Sequence, residues 1–142
     1  MSLEANKTVI RRWFEEVNGG NMAAADEFYG ADYILHDPNA GPGVPIGPAS
    51  VRQYLAPIMA GFPDSKVTVD DVLAEEDKIA VRFTARGTHT GDFMGIPPSG
   101  KPIAAQGISI IRIANGQMVE EWQNFDMLTL LQQIGAIPTM AG

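Results

Sequence analysis

The sequence predicts an α+β domain in which helices pack on a strongly curved antiparallel sheet, and three observations carry that expectation. Apolar residues recur at helical spacing up to Met59. From Val67 to Phe125 the period shortens to two. Asn115-Gly116, the strongest short hairpin signal, lies between two of those period-two runs.

Each element follows from local pattern. Val9, Ile10, Trp13, Phe14 and Val17 form one helical stripe from Lys7 onward, and Gly19-Gly20 stops it. Asn21 is a candidate cap for a second helix, Met22 to Tyr29. A brief extended piece, Tyr33 to Asp37, precedes a Gly- and Pro-rich loop. Pro48 suits the first turn of a third helix bearing Val51, Tyr54, Leu55, Ile58 and Met59, which Pro57 should kink or shorten. Four antiparallel strands are then expected: Val67–Ala74, Ile79–Thr88, Ile103–Ile113 and Met118–Phe125. Asp126 opens a last helix, Met127 to Ile134, closed by Gly135.

A chain of 142 residues is one domain, 1–142. With 45% apolar and 19% charged residues it has an ordinary globular composition, not a disordered or membrane-spanning one. A net charge of −7 opposes phosphate backbones, so no nucleic-acid partner is expected. No run is long and apolar enough to span a bilayer, and Met1 to Lys7 lack a basic segment leading into an apolar one, so a cytoplasmic protein without membrane contact is expected. The absence of cysteine removes thiolate chemistry, and two histidines outside any ligand motif argue against a metal.

In the strand from Ile103, one face carries Ile103, Ala105, Gly107, Ser109, Ile111 and Ile113, and the other Ala104, Gln106, Ile108 and Ile110. Both faces are mainly apolar, as for a strand covered by helices on one side and a second subunit on the other. A homodimer is therefore expected, with Met118 and Trp122 on the convex side. A strand central to a larger monomeric core is the alternative.

Period two on the last strand groups Val119, Glu121, Gln123 and Phe125, assigned to a pocket, against Met118, Glu120, Trp122 and Asn124. Glu121 is then the best candidate acid/base, because apolar neighbours would raise its pKa; a solvated strand residue is the other reading. Asp126 is either a second candidate base or the cap of the final helix. Trp13, Tyr54 and Phe125 are among the aromatics that could line a cavity for a small apolar organic ligand, as could Tyr33.

The run Gly87-Thr88-His89-Thr90-Gly91-Asp92-Phe93-Met94-Gly95-Ile96-Pro97-Pro98-Ser99-Gly100, with Asp32 to Pro38, the Asn115-Gly116 hairpin and Leu130 to Gly135 in order, resembles the SnoaL-like polyketide cyclase family. The resemblance implies a cone-shaped, nuclear-transport-factor-2-like fold. It also implies intramolecular aldol closure of a polyketide ester, with a pocket Asp as acid/base and neither metal nor cofactor. That Asp falls on Gln123, and pocket Gln and His positions fall on Gly107 and Ser109. His36 lies in a pocket-forming neighbourhood of the family, where it could serve as a catalytic polar group or be held structurally. His89 could contact ligand or pin its loop.

Expected, then, is a cofactor-independent cyclase or isomerase acting on a small apolar carbonyl compound. Glu121, Asp126 and His36 would be the catalytic candidates; Gln123, Ser109, Phe125, Trp13, Tyr54 and His89 would bind substrate. The alternatives are a ligand-binding module without turnover, suggested by Gln123, and an epoxide or ester hydrolase on the same fold.

Overall fold

The computed structural model describes residues 2–139, so the ends of the expected 1–142 span, residue 1 and residues 140–142, lie outside the described residues. Helix α1, Leu3–Asn18, begins earlier than the apolar stripe suggests because the Ser2 hydroxyl accepts from the Ala5 N–H at 3.0 Å. Its Ile10 and Trp13 are buried.

The expected second helix is shorter than predicted. A 3-10 turn, Met22–Ala24, leads into the single-turn α2, Ala25–Phe28. Asn21 does not cap it; its side-chain amide donates to Glu16 Oε2 at 2.8 Å. Tyr29 already belongs to β1, Tyr29–His36, where it pairs with Met118. Its ring meets Trp13 edge-on at 5.0 Å and Tyr33 at 4.6 Å, so packing draws it out of the helix.

The loop after β1 folds back on that strand: the Gly47 N–H donates to Tyr33 O at 2.7 Å. Gly47 has φ +81 there, and a Cβ would stand 2.6 Å from Ala31 O, so glycine is required twice over. Helix α3, Pro48–Gly61, runs through Pro57 without being cut short. Gln53, whose carbonyl would have been the partner of the missing N–H, is exposed and can turn to water.

Strands β2, Lys66–Glu75; β3, Lys78–Thr88; β4, Pro102–Ala114; and β5, Gln117–Phe125 match the predicted runs, and α4, Met127–Gln133, follows. Asn115 and Gly116 both have positive φ, as a two-residue hairpin turn demands. The sheet order is β1-β5-β4-β3-β2, and β1 runs parallel to β5. The sheet is thus mixed where a wholly antiparallel one was expected, because the direction of an edge strand is decided by long-range pairing that local alternation does not encode.

Ile103, Ala105, Gly107, Ser109, Ile111 and Ile113 are all buried on the concave face, under the helices. Gly107 makes room there: a Cβ would lie 2.4 Å from the Phe83 ring, which stacks parallel to Phe125 with centroids 6.3 Å apart. The predicted side of one residue is reversed. A bulge shifts the register so that Arg112 pairs with Glu120 but Ile113 with Met118, leaving Val119 as the extra residue. Met118 therefore turns into the core and is fully buried, not convex.

The convex face keeps Ile108, Ile110 and Trp122 exposed, at 54%, 43% and 39%. Register aligns Leu73, Ala80, Ile110, Trp122 and His36 in a single row across the five strands.

Candidate functional site

Several of the candidate residues meet where β1 and β5 lie side by side under α1 and α3. Tyr33 and Leu35 alternate inward along β1, and Asp37, the next residue of that parity, follows at its end. Opposite them, Glu121 and Gln123 face inward from β5. Together with Trp13, Tyr54, Phe83 and Phe125 they wall a cavity of about 100 Å³ that is overwhelmingly apolar.

Glu121 is buried. The Tyr33 hydroxyl donates to Glu121 Oε1 at 2.7 Å. Burial pushes the Glu121 carboxyl above its ordinary range, and the nearby Asp37 charge adds to the rise; the hydrogen bond from Tyr33 offsets part of it. The Tyr33 phenol is driven far upward by burial first and by the Glu121 charge second, and Tyr29 likewise. Both tyrosines therefore stay protonated donors at any physiological pH.

A second chain of bonds leads outward. The Ser109 hydroxyl donates to Gln123 Oε1 at 3.2 Å, and Gln123 Nε2 donates to Asp37 Oδ2 at 2.8 Å. Gln123 is thus clamped at both ends of its amide. The Tyr54 hydroxyl is buried without a hydrogen-bond partner among the described residues. Burial raises its pKa, and the Asp37 charge raises it further. A buried unpaired donor is uncommon enough to require an explanation, and a ligand oxygen is one.

The structure brings Glu121, Gln123, Phe125, Trp13 and Tyr54 together around the cavity. Ser109 supports Gln123 from behind without itself forming the wall. Three other candidates stand elsewhere. His36 points to the convex side, stacked on Trp122 at 5.3 Å with Nε2 2.8 Å from Glu120 Oε2, because strand parity puts it opposite Tyr33 and Leu35. Asp126 is the exposed cap of α4, accepting from Thr129 N at 3.0 Å and Thr129 Oγ1 at 2.6 Å; these bonds hold its carboxyl below the usual range. His89 is buried in its loop, where Nδ1 accepts from the Ser99 N–H at 3.1 Å and lies 2.9 Å from Ser99 Oγ. It packs against Phe62 and does not reach the cavity wall.

Asp37 was not among the sequence candidates, nor was the Tyr33–Glu121 pair. Period two from Tyr33 would have revealed Asp37, since the rule that turns His36 outward turns Asp37 inward. Among the described residues, no three His, Cys, Asp or Glu side chains gather as a metal-binding set.

A profile of the SnoaL-like polyketide cyclases matches residues 8–134. The chain belongs to that family. Nogalonic acid methyl ester cyclase of Streptomyces nogalater is 25% identical over 122 residues, 83% of this chain and 88% of that protein. IdmH from Streptomyces antibioticus, described as a candidate polyketide cyclase, superposes with a TM-score of 0.82 at 33% identity, covering 92% of this chain and 98% of its own. AclR from Streptomyces galilaeus, described as a candidate hydroxylase, reaches a TM-score of 0.86 at 24% identity over 98% of this chain and 86% of its own. The likeness to AclR concerns the fold alone. SnoaL-like cyclases therefore share a scaffold, and the chemistry of each member has to be argued from its own cavity.

Proposed function

We propose that this SnoaL-like protein catalyses an acid/base ring closure or isomerisation of a small apolar carbonyl compound, with Glu121 as the proton-transfer group. The observation that carries this reading is the buried Glu121 carboxyl in an apolar cavity, hydrogen-bonded to Tyr33. Desolvation brings a carboxylate's basicity toward that of useful general bases, and perturbed carboxyls in clefts concentrate at functional sites.

In the closure, the Glu121 carboxylate removes a proton from the carbon next to a substrate carbonyl. The enolate carbon then bonds to a second carbonyl carbon of the same molecule. That carbonyl's π pair becomes an alkoxide, which recovers the proton from Glu121. Atoms and charge balance within one substrate molecule. The Tyr54 hydroxyl and the remaining Nε2 hydrogen of Gln123 are neutral donors beside the cavity that can hold the developing oxyanion. His36 and Asp126 take no part, and His89 serves its loop.

Exchange of carbon-bound protons tests this directly. Aryl β-keto esters incubated in D₂O should lose their α-protons faster with the protein than without it. Glu121→Gln should slow that exchange by roughly 10²-fold or more with binding little changed. Equal exchange by the variant would remove Glu121 from the mechanism. Gln123, standing where the resemblance places a catalytic Asp, favours a second reading, a binding module without turnover. Tight binding of such esters with no exchange at all would select it.

The exposed row on the convex face supports a homodimer closed through that face. Among the described residues no helix is long and apolar enough to cross a membrane.

A further inference from the structure

A second cavity of about 170 Å³ lies on the other side of Leu35, Tyr54 and Ile58, which belong to both walls. We propose that it is an outer compartment of the same binding site, and that the ligand is a two-part molecule with a single apolar ring inside and a neutral, hydrogen-bonding arm outside. This inference rests on reading the inner cavity as the ligand chamber.

Volume points to it first. An engineered apolar cavity of about 150 Å³ accepts benzene, whereas whole ligand sites usually run from about 300 to 1,000 Å³. The inner cavity, at about 100 Å³, holds one ring at most, so a larger substrate must continue past the shared wall. Of the three side chains in that wall, only Tyr54 carries a polar atom beyond the backbone, and its hydroxyl is one of the buried side-chain polar groups without a hydrogen-bond partner among the described residues. Because Tyr54 lines both compartments, it is the polar side chain that a ligand spanning them would meet.

The linings differ in kind. The outer wall includes the Asn39 and Gln53 amides, and the flexible Met94 and Met127 thioethers, which adapt to varied shapes. Asn39 Nδ2 is committed to Phe125 O at 2.9 Å, so its Oδ1 and the Gln53 amide are the groups left for a ligand. Asn39, Gln53 and Met94 are exposed, so this compartment meets solvent. Among the described residues, neither wall contains Lys, Arg or His, while Glu121 lines the inner one. An anionic arm would find no counter-charge and would feel carboxylate repulsion from Glu121, with Asp37 beside Gln123 adding to it. The arm is therefore neutral.

Calorimetric binding at neutral pH of three probes tests the proposal without requiring turnover: toluene, 4-phenylbutanamide and 4-phenylbutanoate. The amide should bind the native protein roughly tenfold or more tightly than toluene, from its buried methylenes and hydrogen bonds, and the carboxylate more weakly than the amide. Ala40→Leu, which fills the outer cavity from its wall, should reduce the amide's advantage to within about twofold and leave toluene unchanged. Should that variant fail to fold, Gln53→Leu, at an exposed helical position, should lower amide affinity about threefold or more without affecting toluene. An amide no tighter than toluene, a carboxylate as tight as the amide, or an advantage that survives these substitutions would overturn the two-part site. Failure of toluene itself to bind would instead overturn the inner chamber, and the outer compartment's role with it.

Discussion

At the scale of single residues, Glu121 combines a stability cost with its proposed function. Its carboxyl holds a proton more tightly in the folded protein than in the unfolded chain. Below the ordinary glutamate value both states are protonated and the residue is neutral toward folding. As pH rises from that value through the raised one, the unfolded chain releases its proton first and stability falls. Glu121→Gln should therefore be more stable than the native protein at neutral pH, with the difference shrinking in acid, as thermal melts across pH would show. A variant less stable at every pH would contradict the desolvated carboxyl. Asp126 has the opposite sign: its depressed pKa gives stability that is present above the ordinary carboxyl value and lost as pH falls. Asp126→Ala should cost about 1 kcal/mol as a lost cap and leave proton exchange unaltered, which separates cap from base. The sequence made Glu121 legible through its alternation with Phe125. It did not show that Tyr33 would meet it, because that bond joins two strands whose pairing depends on the whole sheet.

Among the elements, the strands of the β2–β5 meander and the final helix were readable because period, turn chemistry and capping agreed at each. Readability failed where a distant partner overrode the local pattern. The last residue of the predicted second helix, Tyr29, is in fact the start of β1, drawn out by pairing with Met118 and by the Trp13–Tyr29–Tyr33 ring contacts. The bulge at Val119 reversed Met118 because a single extra residue shifts strand parity, and no residue type in Met118-Val119-Glu120 announces it. Gly107 shows the sheet shaping the cavity: its missing side chain lets Phe83 lie across the concave face toward Phe125. Gly107→Ala should destabilise the fold by about 1–3 kcal/mol, measured by denaturant melts, because the ring is hemmed in by Phe14 and Phe125. An unchanged midpoint would mean that Phe83 can move aside.

For the whole molecule, the acidic charge and globular composition were plain from the sequence, as was the α+β class. The partner of the convex face was argued from a strand apolar on both sides, and the structure extends that observation to a row reaching from Leu73 to Trp122. Sedimentation at micromolar concentration should give about twice the 15.3 kDa chain mass, and Ile110→Glu should shift it to one chain without unfolding it. A native protein that sediments as a single chain would leave the face without its proposed occupant. In the dimer, His36 and Glu120, on that same face, would lie at the rim of the contact and not in the chemistry.

The most direct test of the central claim, that Glu121 moves the substrate proton, is the pH dependence of α-proton exchange on aryl β-keto esters. In the native protein, exchange should rise as pH climbs through a carboxyl pKa above the ordinary glutamate value, and that limb should vanish in Glu121→Gln. A profile that keeps the same limb in the variant would contradict the account.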